Sequence, residues 1–390
     1  MNIAINAISA KLGGSVTYLQ SILPELQHRL GTDGENRIIV WRGATATGDQ
    51  HWPAQIEYRE DPIAGGSATA SANPLRRLWF DQVKLPGSLR ADHTDVLFSS
   101  ANFGPLRCPC HQVLLVRNTI PFDETYLSRV SLKVKAYYLF QRWLILRCIA
   151  AADVVIFPSQ AMLDLLSKYT GGAQKCWRVA HYGTRHDLFY SVPQSVGRDN
   201  SRIRLLHVSL YSDQKNLGTL LQAMQLLEQT QPSRYHLRLT AGFGQDWIGE
   251  HPFFPNFRRE QSFYRRLQMA GVAEDVDWKM YGALPDLYRS ADIFIFPSYT
   301  ESFGHPLLEA MASGLPIVAA DVPVNRELCG EAAIYFTPFD ISSCASAIQQ
   351  VADDQCLRLK LSAAALERAQ AFNWQKHVTQ LAEAFDGFGK

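Results

Sequence analysis

The sequence lacks the features that mark several large classes of protein. Its 390 residues carry 38 basic and 37 acidic side chains, a net charge of +1 that predicts no affinity for nucleic acid. No uninterrupted apolar run reaches about 18 residues, so no membrane-spanning helix is expected. The chain starts directly with a strand pattern, without the basic region and cleavage site of a signal peptide.

Cysteine is scarce, and its spacing fits neither a disulfide framework nor a zinc site. The seven cysteines are odd in number, and Cys108-Pro109-Cys110 has no second pair at zinc spacing. We predict ordinary reduced thiols, as in a cytoplasmic protein. Asp275-Val276-Asp277 imitates a metal-binding DxD motif, but we interpret it as two solvated carboxylates. The sequence therefore predicts no metal site and no cofactor.

Alternating strand and helix patterns run through the whole chain. The predicted strands are Asn2–Ile8, Arg37–Trp41, Asp95–Ser99, Gln112–Arg117, Asp153–Phe157, Arg178–His181, Ile203–Leu210, Leu237–Ala241, Val276–Lys279, Asp292–Phe296, Ile317–Ala320 and Ile334–Phe336. This alternation predicts an α/β protein with parallel sheets. Because 390 residues exceed what one core usually supports, two domains are expected.

Polar and pattern-poor segments suggest where the domains meet and where loops lie. The segment Tyr190–Ser201 is polar, contains proline and glycine, and is the predicted linker. It divides the chain into an N-terminal domain at 1–190 and a C-terminal domain at 200–372. The segment Gly43–Asn73 has little pattern, and Ala64–Ala72 within it is predicted to be a flexible loop.

The segment 297–316, PSYTESFGHPLLEAMASGLP, carries the strongest functional signal. It places Glu301 and Glu309, with seven residues between them, around the start of a short helix predicted at Pro306–Ser313. The helix begins just after a buried strand, so its N-terminal N–H groups offer an anion site. Carboxylates beside such a site suit a ligand with both phosphates and hydroxyls, and a nucleotide sugar has both.

This segment resembles the signature of retaining glycosyltransferase family 4, which has the form E-x7-E followed by a small-residue helix and GxP. The resemblance implies the GT-B fold, two Rossmann-like domains with parallel sheets facing across a cleft. It also implies that a terminal helix, at 373–390 here, packs back on the N-terminal domain. The implied activity moves a hexose-type sugar from a nucleoside diphosphate sugar to a saccharide or lipid-linked acceptor, in bacterial surface polysaccharide or glycolipid synthesis, without a metal ion.

The resemblance assigns roles to residues of the motif. Glu309 would accept hydrogen bonds from the ribose hydroxyls of the donor, and Glu301 would bind hydroxyls of the donor sugar. The backbone N–H groups of Phe303, Gly304 and His305 would hold the sugar and the diphosphate. Leu308 belongs to the same predicted binding set.

Lys215 and Gly14 follow the first strand of each predicted domain. Lys215 could neutralise the leaving diphosphate, although a solvated lysine at a helix start is common. The family usually has an arginine five residues earlier, where this chain has Leu210. Either another cation, such as Arg178 or Arg185, substitutes, or Lys215 and helix N–H groups hold the phosphate alone. Gly14, after Gly13, either lets the backbone approach a ligand closely or serves a tight turn.

A second departure from the family lies after the strand at Gln112–Arg117. The family often has a histidine there, near the reacting carbon of the sugar, and Arg117 and Asn118 stand in its place. Asn118 can bond a sugar, which makes it a candidate catalytic residue. The structural alternative, that Asn118 caps the following turn, is about equally supported.

The segment Tyr126–Cys148 interleaves basic and aromatic residues and contains no acid. Such a helix could rest on an anionic membrane at its inner face, near a lipid-linked acceptor. The alternative is a helix that faces the core and has a basic outer face. Two rival functions also stay open: a sugar-nucleotide hydrolase or epimerase, and a non-catalytic binding or scaffold protein of the same fold.

Overall fold

The structure is a computed structural model that describes residues 1–10, 14–31, 36–43, 53, 55–61, 74–174, 176–191, 202–245, 248, 253–276 and 283–386. Contacts between Cα atoms divide the chain into two units. The first unit holds 1–122, 137–183 and 374–390, and the second holds 123–136 and 184–373. These ranges differ from the predicted domains because 123–136 and 184–190 lie in the second unit. The predicted loop at Ala64–Ala72 and most of the predicted linker lie outside the described residues.

The first unit contains a parallel sheet of seven described strands in the order β3-β2-β1-β4-β5-β6-β7. The strands are β1 (Asn2–Asn6), β2 (Arg37–Gly43), β3 (Glu57–Asp61), β4 (Val96–Ser99), β5 (His111–Leu115), β6 (Val154–Phe157) and β7 (Trp177–Val179). β4 and β5 are buried along their whole length, as expected of inner strands covered on both faces.

The second unit contains a parallel sheet of six described strands in the order β10-β9-β8-β11-β12-β13. They are β8 (Ile203–His207), β9 (Tyr235–Leu239), β10 (Ala273–Asp275), β11 (Ile293–Phe296), β12 (Ile317–Ala320) and β13 (Ala333–Phe336). In both sheets the second and third strands in sequence lie on one side of the first strand, and the later strands follow one another on its other side. The predicted α/β class with two parallel, Rossmann-like sheets is confirmed.

Helices connect most of these strands, as the alternating pattern predicted. They are α1 (Gly14–Leu30), α2 (Pro74–Trp79), α3 (Leu85–Ala91), α4 (Glu124–Leu127), α5 (Leu132–Ala151), α6 (Gln160–Thr170), α7 (Leu217–Thr230), α8 (Phe257–Met269), α9 (Leu284–Ser290), α10 (His305–Ala312), α11 (Pro323–Cys329), α12 (Ile341–Asp353), α13 (Gln355–Ala369) and α14 (Trp374–Asp386). In the part of the chain that the structure describes, none of them has the length and apolar character needed to span a bilayer.

The terminal helix α14 packs on α1 within the first unit. His377 of α14 is fully buried, and its Nε2 lies 2.9 Å from the Tyr18 hydroxyl of α1. Its Nδ1 lies 3.1 Å from the carbonyl oxygen of His181. Tyr182 stacks on Trp374 with ring centroids 6.0 Å apart. An apolar and aromatic cluster therefore fixes the end of the described chain to its beginning.

Three structural predictions need correction. The segment predicted to have little pattern contains β3, whose charged residues pair with β2 through Arg37–Glu57 at 2.5 Å and Arg42–Glu60 at 2.7 Å. An edge strand held by ion pairs shows no hydrophobic alternation, so it was missed. Val276, where a strand was predicted to begin, follows β10, which ends at Asp275, and the Asp275 N–H donates to the Tyr264 hydroxyl at 2.8 Å. The rest of that predicted strand, 277–279, lies outside the described residues. The motif helix runs one residue earlier than predicted at both ends.

Candidate functional site

The candidate site lies at the carboxyl ends of β8 and β11, neighbouring strands where the order of the second sheet reverses. In open α/β sheets, ligands bind in the crevice outside such a switch point. The loop after β8 carries a 3₁₀ turn at Asp213–Lys215, and the loop after β11 carries Glu301. The backbone N–H of Tyr299 donates to the carbonyl oxygen of Gln214 at 3.1 Å, so the two loops are tied together.

Lys215 and Glu301 meet at this point although they are 86 positions apart in the sequence. The Lys215 Nζ lies 2.5 Å from Glu301 Oε1, and the two side chains are 16% and 15% exposed. Each charge therefore neutralises the other in the unliganded protein. A bound diphosphate would offer Lys215 a competing partner with more negative charge, and sugar hydroxyls would offer donors to Glu301.

His207, which sequence reasoning missed, lies at the end of β8 and links the two strands of the switch point. Its Nδ1 lies 2.9 Å from the Ile295 carbonyl oxygen of β11, and its Nε2 lies 2.7 Å from Ser209 Oγ. Burial lowers the pKa of His207 to about 4, and the positive charge of Lys215 adds to the effect. The ring is therefore neutral at pH 7. The sequence signal that could have identified His207 is a histidine at the end of the mainly apolar strand β8.

The start of α10 has the geometry that a backbone anion site needs. Gly304 is the N-cap, with φ 127°, and no side chain caps the first turn. A Cβ at Gly304 would meet Leu307 Cδ1 at 3.3 Å and would also be strained by the positive φ. The side chains of Phe303 and Leu308 are 1% and 0% exposed. These two residues could therefore contact a ligand mainly through their backbone.

Glu309 is a buried carboxylate on α10 with a tyrosine as hydrogen-bond donor. The Tyr288 hydroxyl, from α9, donates to Glu309 Oε2 at 2.7 Å, and Glu309 is 4% exposed. The bond orients one carboxylate oxygen, as a binding residue requires. Tyr288 was also missed, because a lone tyrosine in a short helix is usually a core residue.

Gly14 and Asn118 lie in the first unit. Gly14 is the first residue of α1, and a Cβ there would lie 3.6 Å from Arg117 Nη2. The Arg117 guanidinium lies over the rings of Tyr18 and Tyr182, 5.5 and 5.8 Å from their centroids. Asn118 Oδ1 accepts from the Ile120 N–H at 3.2 Å, so Asn118 does cap the following turn. This contact is the turn-capping role that the sequence offered as the alternative. A sugar could bond only the Asn118 side-chain N–H groups and the second lone pair of Oδ1.

The remaining residues that the sequence analysis singled out lie as follows. Leu210, in the family's arginine position, has a side chain that is 45% exposed. Arg185 pairs with Asp187 at 2.5 Å, and Arg178 donates to the Trp177 carbonyl oxygen. Asp275 was predicted to be a solvated carboxylate, but its Oδ2 accepts a hydrogen bond from the Phe243 N–H at 2.5 Å. Asp277 lies outside the described residues. The described residues contain no cluster of three or more metal-ligating side chains.

Part of the second unit is similar in sequence to known glycosyltransferases. Residues 191–368 match the family model described as glycosyl transferases group 1. O-antigen chain mannosyltransferase B of Escherichia coli is 32% identical over 182 residues, which cover 46% of this chain and 45% of that protein. The chain spans about half the length of the curated relatives it matches first. The predicted likeness to glycosyltransferases is confirmed for this range, whereas membership of the retaining family 4 remains a prediction.

Solved structures of low identity share the fold of the whole chain. Sucrose-phosphate synthase from Thermosynechococcus elongatus superimposes with a TM-score of 0.78 at 19% identity, covering 100% of this chain and 99% of that one. HepE from Anabaena, in complex with UDP and glucose, superimposes with a TM-score of 0.72 at 20% identity, covering 100% of both chains. At these identities the likeness concerns the fold alone.

Proposed function

We propose that this protein is a retaining glycosyltransferase that moves a hexose-type sugar from a nucleoside diphosphate sugar to a saccharide or lipid-linked acceptor. The observation that carries the proposal is the Lys215–Glu301 pair at the switch point of the second sheet. It lies in the range that matches the group 1 family model. The second unit would bind the donor. The first unit, with Gly14 and Asn118, would bind the acceptor.

The proposed chemistry follows from where charge develops. As the bond between sugar and diphosphate breaks, negative charge grows on the diphosphate. Lys215 and the N-terminal backbone of α10, at Gly304 and His305, would stabilise that charge more strongly in the transition state than in the bound donor. We propose that these groups act without a metal ion. The acceptor would then attack from the face that the diphosphate leaves, which retains the configuration.

The glutamates would position the donor. Glu301 would exchange its contact with Lys215 for hydroxyls of the sugar. Glu309, already oriented by Tyr288, would accept from the ribose hydroxyls. A UDP- or GDP-sugar is the proposed donor type, and the bound UDP of HepE supports a uridine nucleotide for a protein of this fold.

Binding of nucleoside diphosphates tests the donor site. Calorimetry with UDP, GDP, ADP and dTDP should detect saturable binding of one of these nucleotides. Glu309→Gln should weaken that binding about tenfold to hundredfold, because a charged hydrogen-bond acceptor is lost. Glu367→Gln, on the exposed side of α13, is the matched control and should bind as the wild type does. Product analysis with the corresponding sugar nucleotides then separates transfer from hydrolysis or isomerisation. Absence of binding to all four nucleotides would favour the scaffold alternative.

We also propose that helix α5 rests on an anionic membrane surface at the inner face of the cell membrane. The alternative was a helix that faces the core and has a basic outer face. The outer face of α5 also carries large apolar and aromatic side chains, since Tyr137, Leu139, Phe140 and Trp143 are 37% to 55% exposed. Exposed Arg147 lies on the same helix, which contains no acid. Large aromatic and apolar side chains beside basic ones match the interface of an anionic bilayer.

Vesicle flotation tests this contact. The wild type should float with phosphatidylglycerol-containing vesicles, less so at high salt, since both charge and apolar burial contribute. Leu139→Ser with Trp143→Ser should lower the bound fraction at least about tenfold, because each side chain contributes about 1.5–3 kcal/mol when buried. Leu359→Ser, at a 65% exposed leucine of α13, is the control. Equal flotation of all three proteins would refute the assignment of α5.

A further inference from the structure

A polar cavity of about 170 Å³ lies within the second unit, between the first turns of α7 and α8. We call it the α7–α8 cavity, and its principal lining residues are Arg129, Asp213, Thr219, Glu260, Tyr299 and Phe339. Asp213 belongs to the same 3₁₀ turn as Lys215, and Tyr299 belongs to the same loop as Glu301. The cavity therefore shares two loops with the proposed donor site but uses different side chains of each.

The acids of the cavity are fixed by hydrogen bonds. Asp213 accepts from Asn256 Nδ2 at 2.8 Å and from the Tyr211 hydroxyl at 3.2 Å. Glu260 accepts from the Gly218 N–H in the first turn of α7. A Cβ at Gly218 would lie only 2.7 Å from Glu260 Oε1, so the carboxyl reaches this position because residue 218 is glycine. Since an acid already occupies the helix N-terminus, the cavity does not suit a phosphate.

The lining also contains two aromatic side chains, Tyr299 and Phe339, and one of them has a hydroxyl available for a ligand. Tyr299 is 8% exposed, and its hydroxyl forms no hydrogen bond with the described residues. The ring of Phe339 lies 4.7 Å from that of Tyr299, and the Arg129 guanidinium lies 3.7 Å from the Phe339 ring centroid. Phe339 holds this place with φ 68°, a conformation that costs a bulky residue about 1–3 kcal/mol. Strain of this size is tolerated where the surrounding structure requires the side chain.

Charge and size together limit the ligand. Two acids, Asp213 and Glu260, face two arginines, Arg129 and Arg259, which form no ion pair within 4 Å among the described residues. Because the lining carries groups of both signs, it does not select for a strongly charged ligand. A cavity of about 150 Å³ accommodates benzene, so the size of the α7–α8 cavity limits the enclosed part of a ligand to one six-membered ring.

The lining includes side chains that can form hydrogen bonds with a ligand, among them Glu260 and Tyr299. Burial, reinforced by Asp213, raises the pKa of Glu260 to about 7, so its carboxyl both donates and accepts near neutral pH. With the Tyr299 hydroxyl, it can bond hydroxyls at the edge of a ring whose face packs on an aromatic side chain. We propose that the α7–α8 cavity binds a single sugar ring, at a site separate from that of the nucleotide sugar. This assignment does not require the proposed transferase activity.

Saturation-transfer NMR tests the site directly. The probes are methyl α-D-glucoside and methyl α-D-mannoside at millimolar concentration, with glycerol as a probe that lacks the ring. We expect transfer to at least one glycoside and none to glycerol. The transfer should persist with saturating UDP and with inorganic phosphate added as an anionic competitor. Tyr299→Phe should weaken the binding about threefold to tenfold, because one hydrogen bond is lost. Tyr235→Phe, a tyrosine of β9 outside the cavity, is the matched control.

Two further variants keep the result clear. Gly218→Ala should abolish glycoside binding, because its Cβ displaces the Glu260 carboxyl. Glu260→Gln retains the shape and should weaken binding while the protein stays folded by circular dichroism. Three results would each overturn the proposal. They are the absence of transfer to both glycosides, displacement of the bound glycoside by UDP, and glycoside binding that is unchanged in both Tyr299→Phe and Glu260→Gln. A disaccharide that binds more tightly than its methyl monosaccharide identifies the end of a longer saccharide as the ligand; equal or weaker binding identifies a free sugar.

Discussion

Replacing Lys215 by alanine should lower kcat about 10²–10³-fold, the loss typical of removing one group that stabilises developing negative charge. The structure gives the reason, because Lys215 is held at the switch point of the second sheet by Glu301 and is only 16% exposed. A cation fixed in position before the donor binds needs little reorganisation when the diphosphate departs. KM for the donor should change less than kcat, since the interaction strengthens mainly in the transition state.

The matched control is Lys360→Ala, at an exposed lysine of α13, which should leave both constants unchanged. Glu301→Gln completes a double-mutant cycle with Lys215→Ala. Because the two side chains contact each other at 2.5 Å, their effects should not add. Steady-state kinetics with the donor found by calorimetry measures the four proteins of the cycle and the Lys360→Ala control. If Lys215→Ala retained near-normal kcat while the fold persisted, the diphosphate would not be stabilised at this position.

Local pattern was enough to predict the fold class and the elements of the motif. Parallel strands buried on both faces, such as β11 and β12, form apolar runs that are visible in the sequence. Gly304 and Pro306 mark the start of α10 because each has a conformational requirement there. By contrast, β3 is held by ion pairs with β2, and no hydrophobic period reveals such a strand.

The site itself depends on contacts between distant segments, and these cannot be found from spacing. Lys215 and Glu301 were each predicted as site residues, but their ion pair became evident only from the structure. His207 and Tyr288 were missed for the same reason, since their partners are a carbonyl on another strand and a carboxylate on another helix. Asn118 shows the opposite case, because the local turn that it caps competes with any ligand role.

The two units should respond differently to acid. His377 in the first unit and His207 in the second are buried and neutral, and burial lowers the pKa of each to about 4. Unfolding restores a pKa near 6.5, so stability is complete above that value and falls as the pH drops toward 4. A shift of this size corresponds to about 3 kcal/mol for each histidine.

In the second unit Glu260 opposes this loss. Its pKa is raised from 4.5 to about 7, so the stability that it contributes is complete below 4.5 and is lost as the pH rises through 7. Between about pH 4.5 and 6.5 the Glu260 gain on acidification offsets the His207 loss. We therefore expect acid to open the first unit while the stability of the second stays nearly constant.

Amide hydrogen exchange between pH 4.5 and 7.5, corrected for intrinsic rates, resolves the two units within one protein. Protection of α1 and α14 should fall on acidification by up to about 3 kcal/mol, and that of β8 and β11 should change little. Glu260→Gln should make β8 and β11 as acid-sensitive as the first unit, and His377→Gln should remove the sensitivity of α1 and α14. His28→Gln, at an exposed position of α1, should have no effect. Equal loss of protection in both units of the wild type would contradict the opposed titration of His207 and Glu260.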